Sequence, residues 1–204
     1  MISIVDYGVG NLFSLKSSFA SLGIEAEVTS DAKRLRDSER IVLPGVGAFG
    51  DAAAKLKESG LWDVVLEEAR SGKPLLGICL GMQLLLAKSF EFGCFEGLGL
   101  VPGEVRPIAE VIPAGLKIPQ MGWNSLIMEQ RTELFKYTKD GEFMYFVHSY
   151  YCCSPAENVI ASCEYGAKLT AAVQSGNVFG CQFHPEKSGP KGLAILKAFS
   201  EIAG

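Results

Sequence analysis

Lys73-Pro74-Leu75-Leu76-Gly77-Ile78-Cys79-Leu80-Gly81-Met82-Gln83 decides the reading of this chain. The residues before Gly77 are apolar and predict a short buried strand. The residues after Cys79 run on into Leu84-Leu85-Leu86-Ala87-Lys88, good helix formers that predict a helix. Cys79 therefore sits where a strand turns sharply into a helix, with a glycine two positions away on each side. Glycines there let strand and helix approach closely while the residue between them is held in a strained turn. The spacing is that of a nucleophile elbow, with sulfur in place of the more usual serine oxygen. A helix starting at Leu80 would aim its positive end at the sulfur and favour thiolate. Free cysteines are more often small buried hydrophobes, so the motif needs a base and a place for an oxyanion.

Working outward, the chain of 204 residues is long enough for a sizeable core and is read as one domain, 1–204. The formal net charge is −4 and no basic cluster appears, so nucleic acid and anionic membrane surfaces are not expected partners. The most apolar stretch, residues 75–87, is interrupted by Gln83 and two glycines and is too short to span a bilayer, which takes about 20 residues. The start, Met1-Ile2-Ser3-Ile4-Val5-Asp6, lacks a basic leader followed by a cleavage signature. Cys79, Cys94, Cys152, Cys153, Cys163 and Cys181 form no C-x-x-C pair, which argues against a zinc site and a disulfide framework and suits a cytoplasmic protein. Only His148 and His184 can supply an imidazole.

Strands are expected at residues 2–6, 24–28, 40–43 and 74–78. Between them the spacing of Leu12, Leu15, Phe19 and Leu22 predicts a helix ended by Gly23, and residues 51–58 and 61–70 read as two more. This alternation predicts an α/β fold: an open, mainly parallel, doubly wound sheet with helices on both faces. After Phe90 long helices vanish. Residues 98–105, 120–128, 142–151, 159–163, 170–174 and 178–183 read as strands, an antiparallel extension of the sheet. Leu193, Leu196, Phe199 and Ile202 share one face of a closing helix over 191–203. Ligands of such sheets sit beyond the carboxyl ends of the strands, where Gly47 and Cys79 fall.

Gly180-Cys181-Gln182-Phe183-His184-Pro185-Glu186 supplies the base. His184 lies at the end of a strand, and Glu186 two residues on would project the same way in extended chain. Pro185 restricts the backbone between them. The carboxylate can hold one imidazole nitrogen and leave the other for Cys79, giving a Cys79/His184/Glu186 triad. Pro44-Gly45-Val46-Gly47 is a loop that can point backbone N–H groups at a developing oxyanion. One donor is expected at Leu80, after the nucleophile, and a second at Val46 or Gly47. Gly8-Val9-Gly10 starts a dinucleotide-like pattern, but Phe13 takes the place of the third glycine, and no phosphate loop is present. No cofactor and no metal is assigned.

With these residues in place, the chain resembles the class I glutamine amidotransferases, and within them the glutaminase subunits of imidazole glycerol phosphate synthases of histidine biosynthesis. The resemblance rests on Asp6-Tyr7-Gly8-Val9-Gly10-Asn11, Leu43-Pro44-Gly45-Val46-Gly47-Ala48-Phe49 and Gly77-Ile78-Cys79-Leu80-Gly81-Met82-Gln83. It continues in Met121-Gly122-Trp123-Asn124, Phe146-Val147-His148-Ser149-Tyr150 and Gln182-Phe183-His184-Pro185-Glu186-Lys187-Ser188. The resemblance implies hydrolysis of L-glutamine to glutamate and ammonia through a γ-glutamyl thioester on Cys79. It implies Gln83 as a glutamine-binding residue, with Glu91, Ser149 and Tyr150 completing the pocket and His148 at its edge in a structural role.

The resemblance also implies a partner, a (βα)8-barrel cyclase subunit that receives ammonia and forms imidazole glycerol phosphate and an aminoimidazole carboxamide ribotide. The docking face would include the loop of residues 7–11, with Val9 and Asn11, and also Trp123, Asn124 and Lys187. The loop of residues 44–47 would be where the partner's ligand switches the glutaminase on. Gln120 departs from the histidine expected there and is taken to adjoin that docking face. Related glutaminases supply ammonia to other synthases, as in sugar amidation, and a thiol amidohydrolase acting alone would carry the same triad; both remain alternatives.

Overall fold

The computed structural model describes residues 1–203. The first half alternates as the sequence pattern requires: β1 (Ile2–Val5), α1 (Leu12–Ser21), β2 (Ala26–Thr29), α2 (Ala32–Asp37), β3 (Arg40–Leu43), α3 (Phe49–Glu58), α4 (Leu61–Arg70) and β4 (Leu75–Ile78). A short α5 (Leu80–Leu84) follows the elbow. Then come β5 (Leu86–Ser89), β6 (Phe95–Glu96), β7 (Val101–Pro107), β8 (Gln120–Ser125), β9 (Ile127–Met128), β10 (Phe143–His148), β11 (Tyr150–Cys153), β12 (Val159–Glu164), β13 (Lys168–Ser175), β14 (Val178–Cys181) and α6 (Gly189–Glu201).

Eight strands form the main sheet, in the order β2-β1-β3-β4-β14-β13-β12-β9. The run from β2 to β14 is parallel throughout, and β14-β13-β12-β9 is antiparallel. The inner parallel strands β1, β3 and β4 are buried on both faces and read as mainly apolar runs, whereas the edge strand β2 is half-buried. Alternate residues point to opposite cores. Ile2, Ile4, Val42, Leu76 and Ile78 join Leu15 and Phe19 of α1 and Ile195 and Phe199 of α6. Val5, Ile41, Leu43 and Leu75 join Leu35 of α2, Leu56 of α3 and Val65 of α4. Two smaller sheets, β10-β8 and β11-β7-β5-β6, stand apart from the main one.

The structure corrects several expected elements. The expected strands 120–128 and 142–151 each break in two, into β8 and β9 and into β10 and β11, and the halves lie in different sheets. The helix after Cys79 stops at Leu84, and Leu86–Ser89 is a strand. Leu84, Leu85 and Leu86 turn their carbonyls to the N–H groups of Leu98, Leu100, Val101 and Gly99, so tertiary pairing overrides a run of helix formers. Ala32–Asp37 is a short helix that the pattern did not foretell; Asp31 caps it by accepting from Lys33 N–H at 2.7 Å. Strand β14 ends at Cys181, and Glu186 lies in a 3₁₀ turn over Pro185–Lys187, not in extended chain.

The elbow is built by close approach. Cys79 takes φ 55° and ψ −112°, a left-handed conformation that costs about 1–3 kcal/mol for a residue with a side chain. A Cβ on Gly81 would collide with the Leu43 carbonyl oxygen, and one on Gly45 would lie 2.7 Å from Gly81 N. The loop after β3 is therefore pressed directly against the start of α5. Gly81→Ala is expected to destabilise the protein by about 1–3 kcal/mol, since the obstructing atoms are backbone. Urea unfolding checks this, and an unchanged midpoint would contradict the packing described.

Candidate active site

Strands β4 and β14 are parallel neighbours, with Ile78 opposite Cys181. Their pairing continues one step past the strand end, where Cys79 N–H donates to the Cys181 carbonyl at 2.8 Å. The nucleophile and the segment carrying His184 thus leave the sheet side by side. His184 N–H donates to the Tyr145 carbonyl of β10 at 2.9 Å. The Ser188 hydroxyl donates to the His184 carbonyl at 2.6 Å and accepts from Tyr145 N–H at 3.0 Å. The imidazole is held from both sides of its backbone.

His184 Nδ1 lies 2.9 Å from Glu186 Oε1, and the ring lines the same cavity as Cys79. Both His184 and the Glu186 side chain are almost wholly buried. Burial alone would lower the imidazole pKa, but the hydrogen bonds and charges of Cys79 and Glu186 outweigh it and raise the value to about 9. The stabilisation this gives the fold is present below the ordinary 6.5 and is lost as pH rises through about 9. Asn11 Nδ2 donates to the same Glu186 oxygen at 3.4 Å, while Glu186 Oε2 has no hydrogen-bond partner.

Cys79 and His184 open onto a cavity of ≈ 320 Å³. Val46, Gly47 and Leu80 line it on the elbow side; Gln83, Glu91, Ser149 and Tyr150 line it on the other, together with Lys187 and Pro119. Every residue expected at the triad, the oxyanion site or the glutamine pocket lines this cavity or, for Glu186, stands directly behind His184. Glu91 also holds the start of α3, where its Oε2 accepts Phe49 N–H at 2.6 Å. Burial, beyond what that hydrogen bond offsets, raises its pKa.

Two residues prove more deeply embedded than the sequence indicated. Tyr7, expected in a docking loop, is buried and donates its hydroxyl to the Pro44 carbonyl at 2.7 Å, so it anchors the loop of Val46 and Gly47. Burial raises its pKa well above the usual tyrosine value. Gln120, taken to adjoin the docking face, is buried and faces His148 across the β8–β10 pair. His148 Nδ1 lies 2.8 Å from the Tyr150 carbonyl and must carry a proton to donate to it. Burial pushes the His148 pKa down to about 4, leaving Nε2 bare. Gln120 Oε1 lies 3.1 Å from Nε2 and Gln120 Nε2 lies 3.7 Å from Cys163 Sγ; a bare ring nitrogen calls for the opposite amide orientation, with N–H toward Nε2.

The outer side of this region is apolar and open. Trp123 is 56% exposed and Met121 64%. Trp123 meets Tyr145 edge-on at 6.1 Å, and the Lys187 ammonium stands 6.0 Å from the same tyrosine ring. Val9 and Asn11 are half-buried. Asn124, also expected at the docking face, is half-buried. Its amide donates to the Glu164 carbonyl at 2.9 Å and its oxygen accepts Ser125 N–H at 2.8 Å, so its polar groups brace the end of β8.

Gln182 is the site residue that the sequence reading passed over. It is fully buried, and its Nε2 lies 3.7 Å from Cys79 Sγ. Its one sequence signal is its place two residues before His184; the chain bends after Cys181, so that spacing alone does not set the contact.

The class-I glutamine amidotransferase family model matches residues 3–202. The chain is 48% identical over 205 residues to the imidazole glycerol phosphate synthase subunit HisH of Geobacter sulfurreducens, covering 98% of each chain. It is 49% identical over 203 residues to the HisH subunit of Carboxydothermus hydrogenoformans, covering 99% of this chain and 100% of that one. Among solved structures it resembles PurLQS from Thermotoga maritima, with a TM-score of 0.76 at 23% identity, over 98% of this chain and 96% of that chain. A crystal structure of a glutamine amidotransferase gives a TM-score of 0.75 at 20% identity, over 98% and 100%. Among the described residues, no helix is long and apolar enough to cross a membrane.

The neutral state of His148 has a measurable consequence. A depressed folded pKa gives stability that is present above 6.5 and lost as pH falls toward 4. The difference in unfolding free energy between the protein and His148→Gln should shrink by about 2–3 kcal/mol between pH 7 and pH 4.5. Urea titrations at the two pH values check it, and a difference that ignores pH would contradict a buried neutral imidazole.

Proposed function

The chain belongs to the class-I glutamine amidotransferases, and from that premise we propose that it is the glutaminase subunit of an imidazole glycerol phosphate synthase. It hydrolyses L-glutamine to L-glutamate and ammonia and delivers the ammonia to a cyclase subunit. The observation that carries the reading is the buried Cys79–His184–Glu186 chain opening onto a cavity of ≈ 320 Å³, in a chain 48% identical to HisH over almost its whole length. That volume suits a single amino acid.

The Cys79 thiolate attacks the side-chain carboxamide carbon of glutamine, forming the C–S bond as the C=O electron pair moves onto oxygen. Backbone N–H groups of Leu80 and of Val46 or Gly47 hold that oxyanion. His184, protonated on the nitrogen facing Cys79, gives its proton to the departing nitrogen, and ammonia leaves. A γ-glutamyl thioester remains. The neutral imidazole then takes a proton from water, hydroxide adds to the thioester, and glutamate departs as the thiolate is restored. Glu186 keeps the imidazole oriented in both halves. Gln83, Glu91, Ser149 and Tyr150 hold the substrate.

The cyclase subunit is a (βα)8 barrel that uses ammonia to form imidazole glycerol phosphate and an aminoimidazole carboxamide ribotide. It docks over Trp123 and Lys187 and the loop of Val9 and Asn11, the exposed aromatic serving as an anchor. Gln120 faces inward, so its departure from histidine gives no reason to favour a sugar-amidating partner. The assembly is cytoplasmic.

Glutamate release, measured alone and with the cyclase and its ribotide ligand, tests the reading. Cys79→Ala should lower glutamine hydrolysis by roughly 10⁴-fold or more and leave synthesis from added ammonia unchanged. Hydrolysis of other amides without any turnover of glutamine would mean an amidohydrolase acting alone.

A further inference from the structure

We propose that Gln182 is a further catalytic residue: its side-chain N–H donates to the Cys79 sulfur and holds the thiolate. The proposal rests on the glutaminase reading and adds to it a donor outside the triad.

One acceptor here cannot turn round. The Tyr150 carbonyl is backbone, and Gln83 Nε2 donates to it at 3.2 Å. This fixes which end of the Gln83 amide is nitrogen. The second N–H of that nitrogen donates to Gln182 Oε1 at 3.0 Å. The Gln182 amide is fixed in turn, because its oxygen is already committed to Gln83. Its nitrogen is left facing Cys79 Sγ at 3.7 Å, a usual length for an N–H donor to sulfur. Gln83 and Gln182 are both buried, so water does not compete for these bonds. An amide N–H placed there without an acceptor would be an unsatisfied buried donor.

The other titratable groups near the sulfur do not substitute for this donor. Burial raises the pKa of Tyr7, Cys152 and Cys181 well above their usual values, so all three stay protonated and uncharged. The imidazole of His184 is the charged partner of Cys79, and it gives its proton away during turnover. His184 is neutral while the thioester stands and regains its proton only as water adds, whereas the Gln182 N–H stays aimed at the sulfur throughout and is already in place at the moment the thiolate departs. A donor that does not titrate suits that moment.

Two substitutions separate this role from packing. Gln182→Glu keeps the shape and keeps an acceptor for Gln83, but presents no donor to the sulfur. Gln182→Met keeps the approximate volume and presents neither. Alkylation of Cys79 by iodoacetamide, followed on its own peptide by mass spectrometry, reads thiolate availability without glutamine. At pH 7 both variants should alkylate roughly tenfold more slowly than the parent, consistent with loss of a hydrogen bond to a charged group. At pH 10 they should match it. Parent rates at both pH values would overturn the proposal.

Should either variant fail to fold, the parent protein carries the same test. The Gln182 side-chain amide proton resonances should move with pH in step with Cys79 alkylation and stay fixed in Cys79→Ala. Resonances that ignore the sulfur would overturn it. Because no glutamine is present, failure of the glutaminase reading shows separately, as parent protein that alkylates as described yet never releases glutamate.

Discussion

One hydrogen bond beyond the end of a strand pair organises this molecule. Cys79 N–H to the Cys181 carbonyl locks the tips of β4 and β14 side by side. The sulfur and the imidazole come from distant parts of the chain, and parallel pairing at this point sets their separation. The positive φ of Cys79 lifts the sulfur out of the sheet, and the glycines around it admit the loop after β3. Burial by itself would lower the His184 pKa, but the Cys79 and Glu186 groups beside the ring outweigh it and raise the value to about 9.

The same contacts tie the site to the outer surface. Asn11 reaches Glu186 from the first loop, and Tyr7 in that loop holds the Pro44 carbonyl. A partner pressing on Val9 and Asn11 would act at once on the carboxylate behind His184 and on the loop beside Leu80. On the other flank, a buried polar line runs from Gln120 through His148 and the Tyr150 carbonyl to Gln83, Gln182 and Cys79. Strand β8 presents Trp123 to solvent and Gln120 to that line. Networks of this kind are rigid when fully satisfied.

The elbow, the grouping of Cys79, His184 and Glu186, and the parallel half of the sheet were legible because each has a local signature. Arg40–Leu43 and Leu61–Arg70 have the expected ends, set by apolar runs and by Ser59-Gly60. What escaped was decided by distant partners. Leu86–Ser89 has helical composition but pairs with β7. Gln120 and Asn124 share the face of β8 opposite the exposed Trp123, and only the packing of that face buries Gln120. Glu186 meets His184 through a 3₁₀ turn, although the spacing alone suggested extended chain. The contact is the same, reached by a different backbone path.

In the proposed reaction Cys79 Sγ is the atom that becomes acylated. Acid-quenching the protein during turnover of glutamine and mapping its peptides by mass spectrometry tests this directly. The expected result is a γ-glutamyl group on the peptide that carries Cys79, absent when glutamine is omitted. Steady ammonia release with that peptide unmodified and the γ-glutamyl group on another cysteine would contradict it.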